Sequence, residues 1–131
     1  MRTFKFDKII RDKLPQKMID IGIKVNKKEN LSQKEIIQYL KAKVVEEAQE
    51  VFDAQTQPEL IEEIADLTEA LQELLRSSSI ETSQIEGARI AKKEAKGGFS
   101  NAIVVNTVDI DAEHEFAEYY SLHPKKYPEI L

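Results

Sequence analysis

The sequence predicts an all-α protein organised around an antiparallel helical hairpin, with a short β segment and a C-terminal helix as additions. Three observations carry this. Apolar residues recur at spacings of three and four across residues 32–54 and again across 58–76. Each stretch opens on a capping pattern, Ser32-Gln33-Lys34-Glu35 in the first and Thr56-Gln57-Pro58-Glu59 in the second. The break around residues 55–57 is short, which returns the second helix antiparallel to the first.

Taken in order, residues 1–14 read as irregular or extended and contain the dense charge cluster Arg11-Asp12-Lys13. Pro15 suits the first turn of a helix, where its missing N–H costs nothing, and Gly22 suits the stop after Ile21. Residues 23–31 carry Lys24, Lys27 and Lys28 and read as a loop or edge segment. The long helix from Ser32 to about Ala54 presents Ile36, Ile37, Leu40, Val44, Ala48, Val51 and Phe52 on its apolar side. Its successor, to about Arg76, presents Leu60, Ile64, Leu67, Leu71, Leu74 and Leu75. After the polar break Ser77-Ser78-Ser79, a fourth helix is expected from about Ile80 to Lys96. Its C-terminal half holds Arg89, Lys92, Lys93 and Lys96, where cations suit the helix dipole, and Gly97-Gly98 ends it. Ala102-Ile103-Val104-Val105 and Val108 form the β-prone run. Asp111 is expected to cap a last helix over 112–121, anchored by Phe116, Tyr119 and Tyr120. The tail from His123 to Pro128 reads as extended, because its prolines exclude a helix.

At 131 residues the chain is expected to be a single domain, 1–131, large enough for a real core. A net charge of -5 argues against a general nucleic-acid binder, which would carry a basic excess. The absence of cysteine excludes disulfides, zinc thiolates and thiol catalysis. No run approaches the roughly 20 apolar residues a membrane helix needs, and the N-terminus does not read as a signal peptide. A cytoplasmic protein without a membrane partner is therefore expected. His114 and His123 have no metal or acid partner placed by spacing and read as surface residues.

The chemistry lies in the hairpin. Glu46-Glu47-Ala48-Gln49-Glu50 on the first long helix and Glu63-Ile64-Ala65-Asp66 on the second each place two acids three residues apart, on one helix face. Glu47 interrupts an apolar stripe, three residues after Val44 and four before Val51. Glu63 flanks the stripe between Leu60 and Leu67, and Glu46 turns away. Buried carboxylates need a compensating charge. Two readings meet that need. One is a hard cation such as Mg²⁺ held by Glu47, Glu50, Glu63 and Asp66, an oxygen-only donor set. The other is a structural salt-bridge network drawing on lysines such as Lys43, one turn from Glu47.

Glu46-Glu47-x-x-Glu50, then twelve residues, then Glu63-x-x-Asp66 resembles the signature of the MazG-like all-α nucleoside triphosphate pyrophosphohydrolases. Lys8-Ile9-Ile10-Arg11-Asp12-Lys13-Leu14-Pro15, and Lys92-Lys93 followed by Gly97-Gly98-Phe99, resemble a branch described as phosphoribosyl-ATP pyrophosphohydrolase-like or house-cleaning. The resemblance covers about residues 4–105, a core to which 106–131 are an extension. It implies a MazG-like helical bundle. It also implies cleavage of a nucleoside triphosphate between the α and β phosphates, giving a monophosphate and pyrophosphate. Glu47, Glu50, Glu63 and Asp66 would hold Mg²⁺, with Mn²⁺ as a substitute. Glu46 and Glu47 would carry the catalytic role, and Arg11, Lys13, Lys43, Lys92 and Lys93 would bind the phosphates. A homodimer or tetramer is implied as well. Two further expectations stand beside it: a phosphoribosyl-ATP pyrophosphohydrolase of histidine biosynthesis, and a non-catalytic helical interaction module.

Overall fold

In the computed structural model, which describes residues 1–131, five helices follow one another and no strand forms. They are α1 (Leu14–Asp20), α2 (Gln33–Asp53), α3 (Gln57–Ser77), α4 (Thr82–Lys96) and α5 (Glu115–Ser121). The chain divides into two compact units, Met1–Lys92 and Lys93–Leu131.

In the first unit, Ser32 launches α2 through a reciprocal capping box. Its hydroxyl accepts from the Glu35 amide at 3.1 Å, while the Glu35 carboxylate accepts from the Ser32 amide at 3.1 Å. Lys28 donates to the same carboxylate at 2.6 Å. Lys28 first, with the Ser32 amide, holds the Glu35 carboxyl down at about 2. At the start of α3 the Thr56 hydroxyl accepts from the Glu59 amide, and Pro58 occupies the first turn. Only Ala54, Gln55 and Thr56 separate the two helices, so they return antiparallel along a common seam. The far end is closed by the Gln33 side-chain amide donating to the Ser77 carbonyl.

The seam is narrow. Leu40 on α2 and Ala70 on α3 are the buried apolar residues, with Val44, Val51, Leu67, Leu74 and Leu75 half-buried around them. Phe52 and Ala48, expected on the apolar side of α2, are exposed, and Phe52 is 83% accessible. Two helices share one line of contact, whereas an apolar stripe this wide needs neighbours on two sides.

Both α1 and α3 end in a Schellman arrangement, in which two amides beyond the helix return to carbonyls of its last turn. At α1, Gly22 adopts φ +92° and the Ile23 amide donates to the Met18 carbonyl at 3.0 Å. At α3 the left-handed position falls on Ser79 at φ +56°, and the Ile80 amide donates to the Leu75 carbonyl at 2.9 Å. Helix α4 then begins at Thr82, two residues later than the sequence suggests, because Ile80 is used in this termination.

In the second unit, Gly97 ends α4 at φ +84° with its amide on the Lys93 carbonyl at 2.8 Å. The β-prone run 102–108 makes no strand, since no second run in the chain pairs with it. Helix α5 starts at Glu115 rather than near residue 112. Asp111 instead makes a turn, accepting from the Glu113 amide, and His114 is the cap, its Nδ1 accepting from the Phe116 amide at 3.1 Å. The tail is not extended. Pro124 sits inside a turn closed by the Lys126 amide on the His123 carbonyl, and this brings Tyr127 against Tyr120 at a ring separation of 4.9 Å.

Ser79 makes one consequence measurable. A residue with a Cβ is disfavoured at a left-handed position by about 1 kcal/mol relative to glycine. Ser79→Gly is expected to raise the stability to urea by about that amount. Unchanged or lower stability would mean that the Ser79 side chain contributes more than its backbone conformation costs.

Candidate metal centre

The site grows from a spacing of seven. Leu40 and Glu47 share one face of α2, as do Glu63, Ala70 and Ser77 on α3, two turns apart in each case. These faces meet in the hairpin seam, so acids placed in the same columns as core residues are carried into it. Glu47 is 6% exposed, Glu63 and Asp66 are half-buried, and Glu50 remains exposed at the edge. One carboxylate oxygen from each of Glu47, Glu50, Glu63 and Asp66 lies within 4.8 Å of the others.

The electrostatics of the quartet are unbalanced. Glu47 Oε2 and Glu63 Oε2 are buried and accept no hydrogen bond. Burial first, then the Glu50 carboxyl beside it, pushes the Glu47 carboxyl above the usual carboxylate range, against the pull of Lys43. The neighbouring Glu63 carboxyl is the largest influence raising Glu50. Three carboxyls thus crowd one another, a repulsion that a proton or a cation would relieve.

Cations surround the quartet and compensate those three carboxyls only at Glu47. Lys43 lies 3.4 Å from Glu47 Oε1 and 3.3 Å from Glu46 Oε2. Lys8 lies 2.7 Å from Glu46 Oε1 and is the main cause of the lowered Glu46 carboxyl. Arg11 Nη2 lies 2.7 Å from Asp66 Oδ1. A cavity of about 240 Å³, lined by Glu50, Asp53, Ala54, Glu59 and Glu63, opens beside the acids.

The donor set suits a hard divalent cation. Metal–oxygen distances of about 2.1 Å for Mg²⁺ and about 2.4 Å for Ca²⁺ put opposite ligands about 4.2 and 4.8 Å apart. The four oxygens lie within 4.8 Å of one another, no farther apart than the larger of these separations. Glu47 Oε2 and Glu63 Oε2 already sit without a donor.

Of the cations expected to bind phosphate, Arg11 and Lys43 stand among the acids, whereas Lys13, Lys92 and Lys93 are exposed and make no ion pair. Glu46 does turn from the seam, into the grip of Lys8 and Lys43. Sequence reasoning passed over Lys8 as a site residue, and also the cavity-lining Asp53 and Glu59. Lys8 lies in a segment without periodicity, so only its place three residues before Arg11 could have pointed to it.

A carboxyl held up in the fold keeps a proton that the unfolded chain releases. Its contribution is fully present below the ordinary carboxylate range and is lost as pH rises through the raised value. Glu47→Gln removes that loss together with one metal ligand. In chelator at pH 7 the variant is expected to melt about 4 °C above the parent protein, for roughly 1 kcal/mol of relieved charge burial. Near pH 4 the gap should close. Mg²⁺ should raise the melting temperature of the parent protein and leave the variant unmoved. A variant less stable than the parent at pH 7 would make Glu47 a structural partner of Lys43 instead.

No protein-family model matches this chain, and no curated protein or solved structure matches it either. What the site does must therefore be read from its own residues.

Proposed function

We propose that the chain is a divalent-cation-dependent nucleotide pyrophosphohydrolase of the MazG-like kind, cytoplasmic and homodimeric, with house-cleaning of non-canonical nucleotides as its role. The observation that carries this reading is the quartet itself: four carboxylates from two helices, converged within 4.8 Å, with two buried oxygens that no donor reaches. Acids placed only for solubility would not be drawn into the seam of a hairpin.

Glu47, Glu50, Glu63 and Asp66 would hold the ion. When bound, Mg²⁺ supplies charge neutralisation of the phosphates and a more acidic water. Glu46 stays ionised at neutral pH because Lys8 and Lys43 hold it so, and its carboxylate is suited to orient the attacking water by accepting a hydrogen bond. Water oxygen bonds to a phosphorus of the α–β anhydride and the bridging P–O bond breaks. The water proton passes to a carboxylate, and monophosphate and pyrophosphate leave. Arg11 and Lys43 are placed to neutralise charge on the phosphoryl oxygens, and Lys13, Lys92 and Lys93 are proposed to join them.

The homodimer rests on two features. The hairpin leaves Val45, Phe52 and Ile61 at 69%, 83% and 62% exposure, apolar side chains for a second copy to cover. The cavity of about 240 Å³ falls below the roughly 300–1,000 Å³ typical of small-molecule pockets, so further walls are needed for a nucleotide. Light scattering at micromolar concentration is expected to give twice the chain mass, and a monomer would overturn this part.

Pyrophosphate release is to be measured with Mg²⁺ across canonical, modified and phosphoribosyl nucleotides. Turnover of several triphosphates, falling on the order of 10²- to 10³-fold in Glu63→Gln, is expected. Turnover of phosphoribosyl-ATP alone would move the protein to histidine biosynthesis. No turnover, with a melting temperature indifferent to Mg²⁺, would leave a helical interaction module stabilised by its salt bridges.

A further inference from the structure

The segment before α1 is tied across the acids by two ionic contacts. Residues 1–8 are exposed, but Ile9 and Ile10 are half-buried, and the residues on either side of them reach the hairpin. Lys8 pairs with Glu46 on α2, and Arg11 pairs with Asp66 on α3. The two contacts differ in kind. Glu46 stands outside the quartet, whereas Asp66 is one of its four members.

Arg11 is therefore a cation already seated on a carboxylate that the proposed metal needs. Its side chain is 60% exposed, and its hydrogen bond to Asp66 Oδ1 is made through Nη2. A guanidinium carries five N–H donors, so most of them remain available to a second acceptor. The Arg11 backbone is anchored, because the Leu14 amide donates to the Arg11 carbonyl at 3.0 Å in the turn that opens α1. A fixed root and a long exposed side chain allow the head group to move without unfolding the segment.

We propose that Arg11 is a displaceable counter-ion. It neutralises Asp66 while the quartet lacks a metal, must leave Asp66 for a divalent cation to bind, and is then transferred to the anionic oxygens of the polyphosphate ligand. This rests on the metal reading of the quartet. It makes cation and polyphosphate binding mutually reinforcing, since each takes one of the two partners of a single ion pair. Arg11 acts here first as a positioning residue, through Asp66.

The probes are Mn²⁺ alone, followed by its electron paramagnetic resonance signal, and inorganic tripolyphosphate added to the Mn²⁺-saturated protein. A partly exposed ion pair is worth up to about 1 kcal/mol, so without polyphosphate Arg11→Ala should bind Mn²⁺ about two- to fivefold more tightly than the wild type. The Mn²⁺-loaded variant should bind tripolyphosphate about tenfold more weakly, having lost a charge-assisted contact. Arg11→Lys, which keeps the charge, should stay near the wild type in the first measurement. Lys8→Ala removes the same charge from beside Glu46 and sets the effect of the general field, expected to be under about twofold. If Arg11→Ala does not fold, Arg11→Gln makes the same comparison.

An Arg11→Ala protein that binds Mn²⁺ no more tightly than the wild type, or no more tightly than Lys8→Ala, would overturn the proposal and leave the metal reading standing. Tighter Mn²⁺ binding with unchanged tripolyphosphate affinity would overturn the transfer. A wild type that binds no Mn²⁺ would overturn both the proposal and the metal reading.

Discussion

The structure depends on a charge it does not balance. Glu47 occupies a column of α2 that otherwise holds Leu40, Val44 and Val51, and one of its oxygens is buried without a donor. A single such carboxylate could protonate and rest. Here Glu50 and Glu63 continue the row from an adjacent turn and from the facing helix, and Asp66 completes it. Drawing Glu47, and in part Glu63 and Asp66, into the seam of the hairpin costs core, because an aliphatic side chain in those places would bury surface. The surrounding cations, Lys8, Lys43 and Arg11, offset part of that charge from the rim. They leave the interior row to be neutralised by something small enough to enter it.

This explains the character of the hairpin. Its ends are heavily fastened, by the Ser32–Glu35 box, by Thr56 with Pro58, by the return from Ile80 to Leu75, and by Gln33 on the Ser77 carbonyl. Its middle is held by little more than Leu40, Ala70 and their half-buried neighbours. The three-residue connection at one end and the Gln33–Ser77 bond at the other tie α2 to α3, and their register decides whether Glu47 and Glu50 face Glu63 and Asp66. A slip of one residue would turn each acid by about 100° around its helix.

The quartet was legible in the sequence because it obeys helical arithmetic. Acids three apart, interrupting or flanking stripes that the capping patterns delimit, and a connection too short for anything but a reversal, together place them without coordinates. Features outside that arithmetic were lost. Lys8 and Arg11 reach Glu46 and Asp66 from a segment with no period, so nothing in the chain order pairs them. Phe52 belongs to a stripe wider than one seam, and stripe width shows how much surface seeks cover, not what covers it. The run 102–105 has the composition of a strand, but a strand requires a partner, which composition cannot supply. His114 took the capping position expected of Asp111 because a histidine nitrogen accepts as a carboxylate does. The fold of the tail comes from Pro124 acting as a turn former, whereas a proline in sequence only excludes helix.

The positions of the rim cations bear on how such a site can work. A quartet of acids with no nearby positive charge would bind divalent ions tightly but would repel a polyphosphate, itself strongly anionic, until the ions were in place. A quartet neutralised by fixed internal cations would bind neither well. The arrangement here lies between these limits. Lys43 is on α2 itself, one turn from Glu47, and is held there by the helix. Arg11 is on a segment pinned mainly by Ile9, Ile10 and its own ionic contacts, and its head group is largely exposed. The charge that must stay is therefore carried by a rigid element, and the charge that can move is carried by a flexible side chain at the edge. A site built this way keeps its acids tolerable in the absence of an ion, and the group that would have to yield to one is also the one with the most solvent around it.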